Sequence, residues 1–334
     1  MRLKLSREFH ETNLDSKGNL KNSKFPLNHL FSLGSLTSRA WYAKRVIYAV
    51  FTAWLLGLSA CSPTAYIKRS LGDELAKQGL SQEDDPGLAR EASAFYLKLS
   101  ESLLYDTPDN LKLAEAVGAG LSQYTFAYVA FEAERLAATD AQAAYRTNER
   151  AKRLYLRAHR HAMRALELST PGFRAKLENP DAKQWPRIAP EQVGLAYWAA
   201  ASWGGYISLA KDSPDAVADF PLAYRLATLA WKANPHFGDG GLSSLMGSFE
   251  SAQPGGSLAK ATQYFDAAIT TSQGKNAGAY IAKAESIALA QGQREAFETL
   301  LKQAMEASDK YPDLSNQLMR ERALWLLRSA DDLF

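Results

Sequence analysis

The sequence predicts an all-α protein, a solenoid of about ten helices paired into hairpins with degenerate repeats. Three observations carry that prediction. From Thr64 onward no Val/Ile/Thr-rich run alternates with period two, while alanine and leucine recur at helical spacing. Cap and turn residues interrupt the chain at intervals suited to helices of roughly 14–25 residues. A small–large–small pattern also returns several times. With 46% hydrophobic and 22% charged residues among 334, the chain can bury a substantial core and is not a disordered polymer.

Residues 1–43 are polar and lysine-bearing without a period. They read as an N-terminal extension that is either disordered or not translated, and they are set aside from the fold. Residues 44–60 read as a signal segment, in which Lys44-Arg45 precede the uncharged apolar run Val46–Leu58. As a helix that run is about 20 Å long, short of a bilayer core of about 30 Å. Leu58-Ser59-Ala60-Cys61 then places the chain's single cysteine where small residues could enter a peptidase and a thiol could be acylated. Lipidation at Cys61 is the expectation; a buried structural cysteine is the alternative. Ser62 after the cysteine, rather than an Asp, points to the outer membrane. One cysteine excludes a disulfide framework and a Cys-rich zinc site.

Residues 61–334 read as one helical domain. The formal charge of the whole chain is +3, yet residues 1–60 hold nine basic and three acidic residues, leaving the remainder at −3. That balance argues against a nucleic-acid surface. Helix starts are expected at Asp85-Pro86, Thr107-Pro108 and Ser213-Pro214, each a capping side chain before a first-turn proline. Further breaks fall at 138–140, 170–172, 235–238, 254–256, 274–276, Gly292 and Pro312, with one long loop near 172–190.

The repeat comes next. Ala223, Ala227, Ala230 and Pro235 have the spacing of the second helix of a tetratricopeptide unit. Ala261, Phe265 and Ala268 repeat it, Phe297, Leu301 and Ala304 follow it more loosely, and Ala158, Ala162 and Ala165 precede them. Small residues are needed where paired helices cross closely, and larger ones fill the groove between units.

In the second half, Tyr197–Tyr206, Asp239–Glu250, Gly274–Ala277 and Arg328–Phe334, together with the segment ending at Cys61, resemble the T-component lipoproteins of tripartite ATP-independent periplasmic (TRAP) transporters. The resemblance runs from about Cys61 to Phe334 and is strongest after Tyr155. It implies a tetratricopeptide-like periplasmic scaffold that associates with a substrate-binding P-component, in some cases as a homo-oligomer. It supplies no catalytic residues and no ligand. A scaffold lipoprotein for envelope assembly, handling no ligand, is the other reading of the same features.

Several residues are candidates for a ligand pocket. The segment from Glu191 to Lys211 is apolar nearly all round and carries Trp198, Trp203 and Tyr206; it is either central core or the lining of an apolar channel. Gly204-Gly205 in its middle predicts close approach of a backbone or ligand, or a kink. Asp239, Glu250, Asn276 and Glu285 are polar residues in small or apolar surroundings and could anchor a ligand. Asp239 and Asn276 also stand where helices should begin and could cap them. Arg320, Arg322 and Arg328 with Glu321 and Asp331-Asp332 read as a solvated, paired helix face, with partner docking as the alternative. His159 and His161 are two apart on a helix and cannot share a metal as an i, i+4 pair does. No glycine phosphate loop, nucleophile elbow or zinc-ligand spacing is present, so no cofactor, metal or enzymatic activity is expected.

Overall fold

A computed structural model describes residues 63–77, Glu83 and 85–334. The extension, the signal segment and Cys61 lie outside the described residues. The architecture is all-α and solenoid-like, and no strand occurs among the described residues. The elements are α1 (Pro63–Lys77), α2 (Pro86–Asp106), α3 (Leu111–Tyr124), a π-helical segment Thr125–Ala130, and α4 (Phe131–Leu136). Next come α5 (Ala141–Ser169), α6 (Phe173–Glu178), α7 (Val193–Leu209), α8 (Pro214–Ala218) and α9 (Phe220–Ala233). The chain continues through α10 (Gly241–Ala252), α11 (Leu258–Thr271), α12 (Ala277–Lys283) and a second π segment, Ala284–Leu289. It ends with α13 (Arg294–Lys310), α14 (Leu314–Arg328) and α15 (Ala330–Leu333). No helix among the described residues is long and apolar enough to cross a membrane.

The helix starts have visible chemical causes. Asp85 accepts the N–H groups of Gly87 at 2.8 Å and Leu88 at 3.1 Å, and Ser213 accepts that of Ala216, each just before a proline. Such caps contribute about 1 kcal/mol apiece. Thr107-Pro108 departs from expectation. Thr107 closes α2, its hydroxyl donating to the Leu103 carbonyl at 2.9 Å, and Asn110 caps α3 through the N–H of Leu113. The hydroxyl takes the orphan carbonyl behind it rather than an amide ahead.

The expected long loop near 172–190 is largely folded. Phe173 and Leu177 are one turn apart and fully buried, and they pull α6 down between α5 and α9. The 3₁₀ turns Ala182–Gln184 and Pro190–Gln192 follow.

Each helix packs chiefly on its sequence neighbours: α3 on α5, α5 on α7, α7 on α9, α10 on α11, α12 on α13 and α13 on α14. The alanines at the expected repeat spacing lie in these contacts. Ala158, Ala162, Ala223, Ala227, Ala230, Ala261, Ala268 and Ala304 are all buried, while Phe265, Phe297 and Leu301 fill the space between units. One large core runs from Leu75 to Phe249 and a second from Ala277 to Leu326. Each fully buried Leu or Phe supplies about 1.5–3 kcal/mol. The first and last parts of the described chain also meet: α14 reaches α2, and Trp325 stacks edge-on against Phe131 with centroids 5.4 Å apart.

Candidate functional site

The aromatic candidates on α7 are divided between environments. Trp203 is core: it is 4% exposed, its ring lies 4.4 Å from that of His159, and its Nε1 donates to Asp219 at 3.2 Å. Trp198 is half-buried against Tyr197, and half-buried Tyr206 packs beside Tyr155 and Val129. Gly204 and Gly205 do face a close approach, but by protein rings. A Cβ on Gly204 would stand 3.0 Å from the Phe249 ring, and one on Gly205 would stand 2.8 Å from the Tyr155 ring.

Asp239 and Asn276 come together. They line a surface hollow of about 380 Å³ with Thr271, Gln273, Lys275 and Asn316. Asn276 caps α12 by accepting the Gly278 N–H at 3.0 Å. Asp239 caps nothing: it sits at φ 49°, and Gly240 at φ 85° occupies the cap position of α10. Only glycine fits there, because a Cβ would stand 2.5 Å from the Ala268 carbonyl oxygen in addition to the unfavourable φ.

Glu250 and Glu285 lie apart from that hollow and from each other. Buried Glu250 accepts from Tyr224 at 2.5 Å, Lys260 at 2.8 Å and the Ser257 N–H at 3.1 Å. Burial works to raise its pKa, but these donors outweigh it and hold the carboxyl down at about 2. Glu285 accepts from Arg322 Nη2 at 2.7 Å and Nε at 3.2 Å. Arg322 itself corrects the expected solvated face. It is buried, contacts Glu134 at 3.0 Å as well, and lies over the rings of Phe126, Phe131 and Trp325. Burial acts to lower its pKa, but the two carboxylates prevail and the guanidinium is held charged. Arg320, by contrast, does form an exposed pair with Asp309 at 2.7 Å.

Two further features escaped the sequence reading. Glu101 is buried and accepts from Arg157, from Lys98 at 2.7 Å and from His161 at 2.8 Å. Burial opposes its ionisation, and the three donors still bring it down to about 2. Nearby, His159, Arg160, Arg164, Glu167, Arg174 and Glu178 line a hollow of about 530 Å³. His159 has its Nδ1 3.0 Å from the Ala199 carbonyl, which fixes the proton on Nδ1. Burial pushes its pKa down to about 4. His159 and His161 therefore serve separate partners, and no metal-binding group of three or more His, Cys, Asp or Glu exists among the described residues.

The helical stack coincides with a known family: the model for the TRAP transporter T-component matches residues 82–334. The chain belongs to the TRAP transporter T-component family. A protein of Treponema pallidum (strain Nichols), described as uncharacterized, is 26% identical over 289 residues, covering 81% of this chain and 87% of its own length. As a T-component the protein has an accessory role in TRAP transport and association with other TRAP components. Its candidate residues divide into a hollow at Asp239 and Asn276, structural ion pairs at Glu250 and Glu285, and aromatic packing on α7.

Proposed function

We propose that this T-component is a periplasmic lipoprotein, acylated at Cys61 and tethered to the outer membrane, which docks the substrate-binding P-component on a tetratricopeptide-like scaffold. It acts by binding and not by chemistry, and a homo-oligomer and a small hydrophobic or anionic ligand are compatible with that role. The observation that carries the reading is the family match over residues 82–334, which takes in every helix from α2 to α15. The buried charges support it: Glu101, Glu250 and Arg322 are each engaged by structural partners, which leaves the outer faces for recognition.

The test mixes the full-length protein, in detergent, with the TRAP substrate-binding protein of the same organism and measures mass by light scattering after size exclusion. A stable complex is expected. Absence of a complex transfers the weight to the envelope-assembly scaffold. For the anchor, a Cys61→Ala variant labelled with radioactive palmitate should carry no label and remain uncleaved after Ala60. Retained acylation in that variant overturns the anchor.

A further inference from the structure

Helix α5 carries seven Lys/Arg and two Asp/Glu within residues 141–169, although the body of the chain is net acidic. Six of the seven are arginines at 146, 150, 153, 157, 160 and 164. Their alternating four-and-three spacing places them on a single helix face, with neighbouring Cβ atoms about 5–6 Å apart. At 1.5 Å per residue the row is about 27 Å long. The opposite face holds Ala151, Tyr155, Ala158, Ala162 and Leu166 in the core, which turns the arginines outward. Five of the six are exposed, and Arg157 leans in to hold Glu101.

Like charges in a row repel, and a fold under no other demand would intersperse carboxylates among them. Here Glu101 serves Arg157 alone of the six, and the two carboxylates of α5 itself are engaged elsewhere. Glu149 pairs with Lys152, and Glu167 is occupied by the N–H groups of Gly172 and Arg174. Arg146, Arg153, Arg160 and Arg164 have no ion-pair partner among the described residues. Arg150 finds only Tyr124, whose hydroxyl it reaches at 3.4 Å. At its C-terminal end the row runs into the 530 Å³ hollow, where Arg160 and Arg164 stand beside Glu167 and the Arg174–Glu178 pair, whose separation is 2.8 Å.

We propose that this arginine ridge is the surface on which α5 docks an acidic protein partner, one presenting a row of carboxylates along a helix or strand. The choice of occupant follows from the chemistry. Guanidinium forks match carboxylates bidentately, and arginine is the charged residue enriched at protein interfaces. A membrane surface fits less well, because the large exposed apolar residues of α5, Tyr145 and Leu168, stand near its two ends rather than forming an inserting band. A nucleic acid fits less well because the molecule around the ridge is net negative. The proposal rests on the T-component reading, and it names the partner-facing surface and the chemistry of that partner.

The test compares the full-length protein with a Arg153→Glu/Arg160→Glu/Arg164→Glu variant by interferometry against the TRAP substrate-binding protein. Arg157 is left alone because it holds Glu101. A control variant, Lys232→Glu/Lys302→Glu/Arg328→Glu, changes the net charge equally away from the ridge. The expected result is a loss of about 100-fold in affinity for the ridge variant, with unchanged melting temperature and less than about 3-fold loss for the control. Equal binding by the ridge variant and the native protein overturns the ridge while leaving the transport reading intact. If the native protein does not bind the substrate-binding protein, that reading fails and poly-L-glutamate decides the ridge. Binding of the polymer by the native protein but not by the ridge variant sustains it. No binding of the polymer, or tighter binding to phosphatidylglycerol vesicles or duplex RNA, overturns it.

Discussion

Arg322 on α14 and Arg160 on α5 are the same residue on helices of the same stack, and they live opposite lives. Arg322 is enclosed by three aromatic rings and two carboxylates, Glu285 and Glu134. Arg160 is exposed and forms no ion pair among the described residues. The first is committed to holding one part of the chain against another. The second is left available. A buried charge is costly to expose or to orphan, whereas a surface charge contributes little to stability and much to what the protein meets. The comparison sorts the charged residues of this molecule into those that hold the fold and those free to recognise.

The sharpest way to break it is Arg322→Ala, which leaves Glu285 and Glu134 facing each other without their cation. Stability should fall by about 3–5 kcal/mol in urea unfolding. A loss below about 1 kcal/mol means that Arg322 belongs with the ridge.

His159 extends the comparison to pH. Its folded pKa of about 4 lies below the ordinary histidine value of 6.5, so the unfolded chain takes up the proton first. Its contribution is intact above pH 6.5 and drains away as pH falls towards 4, by about 2–4 kcal/mol. The lowered carboxyls of Glu101 and Glu250 add their own losses from about pH 4.5 downward through about 2. A His159→Phe variant keeps the ring against Trp203 and should abolish the slope between pH 6.5 and about 4.5 in unfolding titrations. If the slope survives unchanged, His159 is not its source.

Gly205→Ala should cost about 1–3 kcal/mol by thermal unfolding, because the added methyl presses on the ring of Tyr155, which is buried. A variant as stable as the parent would mean that the ring yields easily. The smallest effect belongs to the ridge, where Arg146→Ala, Arg153→Ala and Arg160→Ala should each stay within about 0.5 kcal/mol of the parent. A ridge arginine that costs more than 1 kcal/mol has a structural duty and leaves the recognition set.

Much of the fold was legible because its causes are local. Asp85, Ser213 and Asn276 cap the helices they precede, and the alanines at the repeat spacing are buried. The candidate site was less legible. Asp239 and Asn276 do share a hollow, but Asp239 looked like a cap until Gly240 took that place with a positive φ. Arg322 read as solvated because its neighbours Arg320, Glu321 and Arg328 are, and one step along a helix turns a side chain by about 100° into a different environment. What draws it inward is Glu134, far away in sequence, and no local pattern announces such a partner. The ridge was within reach of the sequence: the alternating arginine spacing is visible in residues 146–164, and summing charge over the whole body hid it.

The contact between Glu134 and Arg322 joins residues separated by most of the described chain. In a stack whose contacts away from α14 chiefly link near neighbours, each helix can settle on the one before it as synthesis proceeds. This one closure must wait until the C-terminal helix exists. The order of events then runs in one direction, with a growing stack that stays open at the Phe131 side until α14 arrives. Premature termination before Arg322 would leave Glu134 and the Phe126–Phe131 rings without their cover, an exposed apolar and acidic face by which an unfinished chain could be told from a finished one.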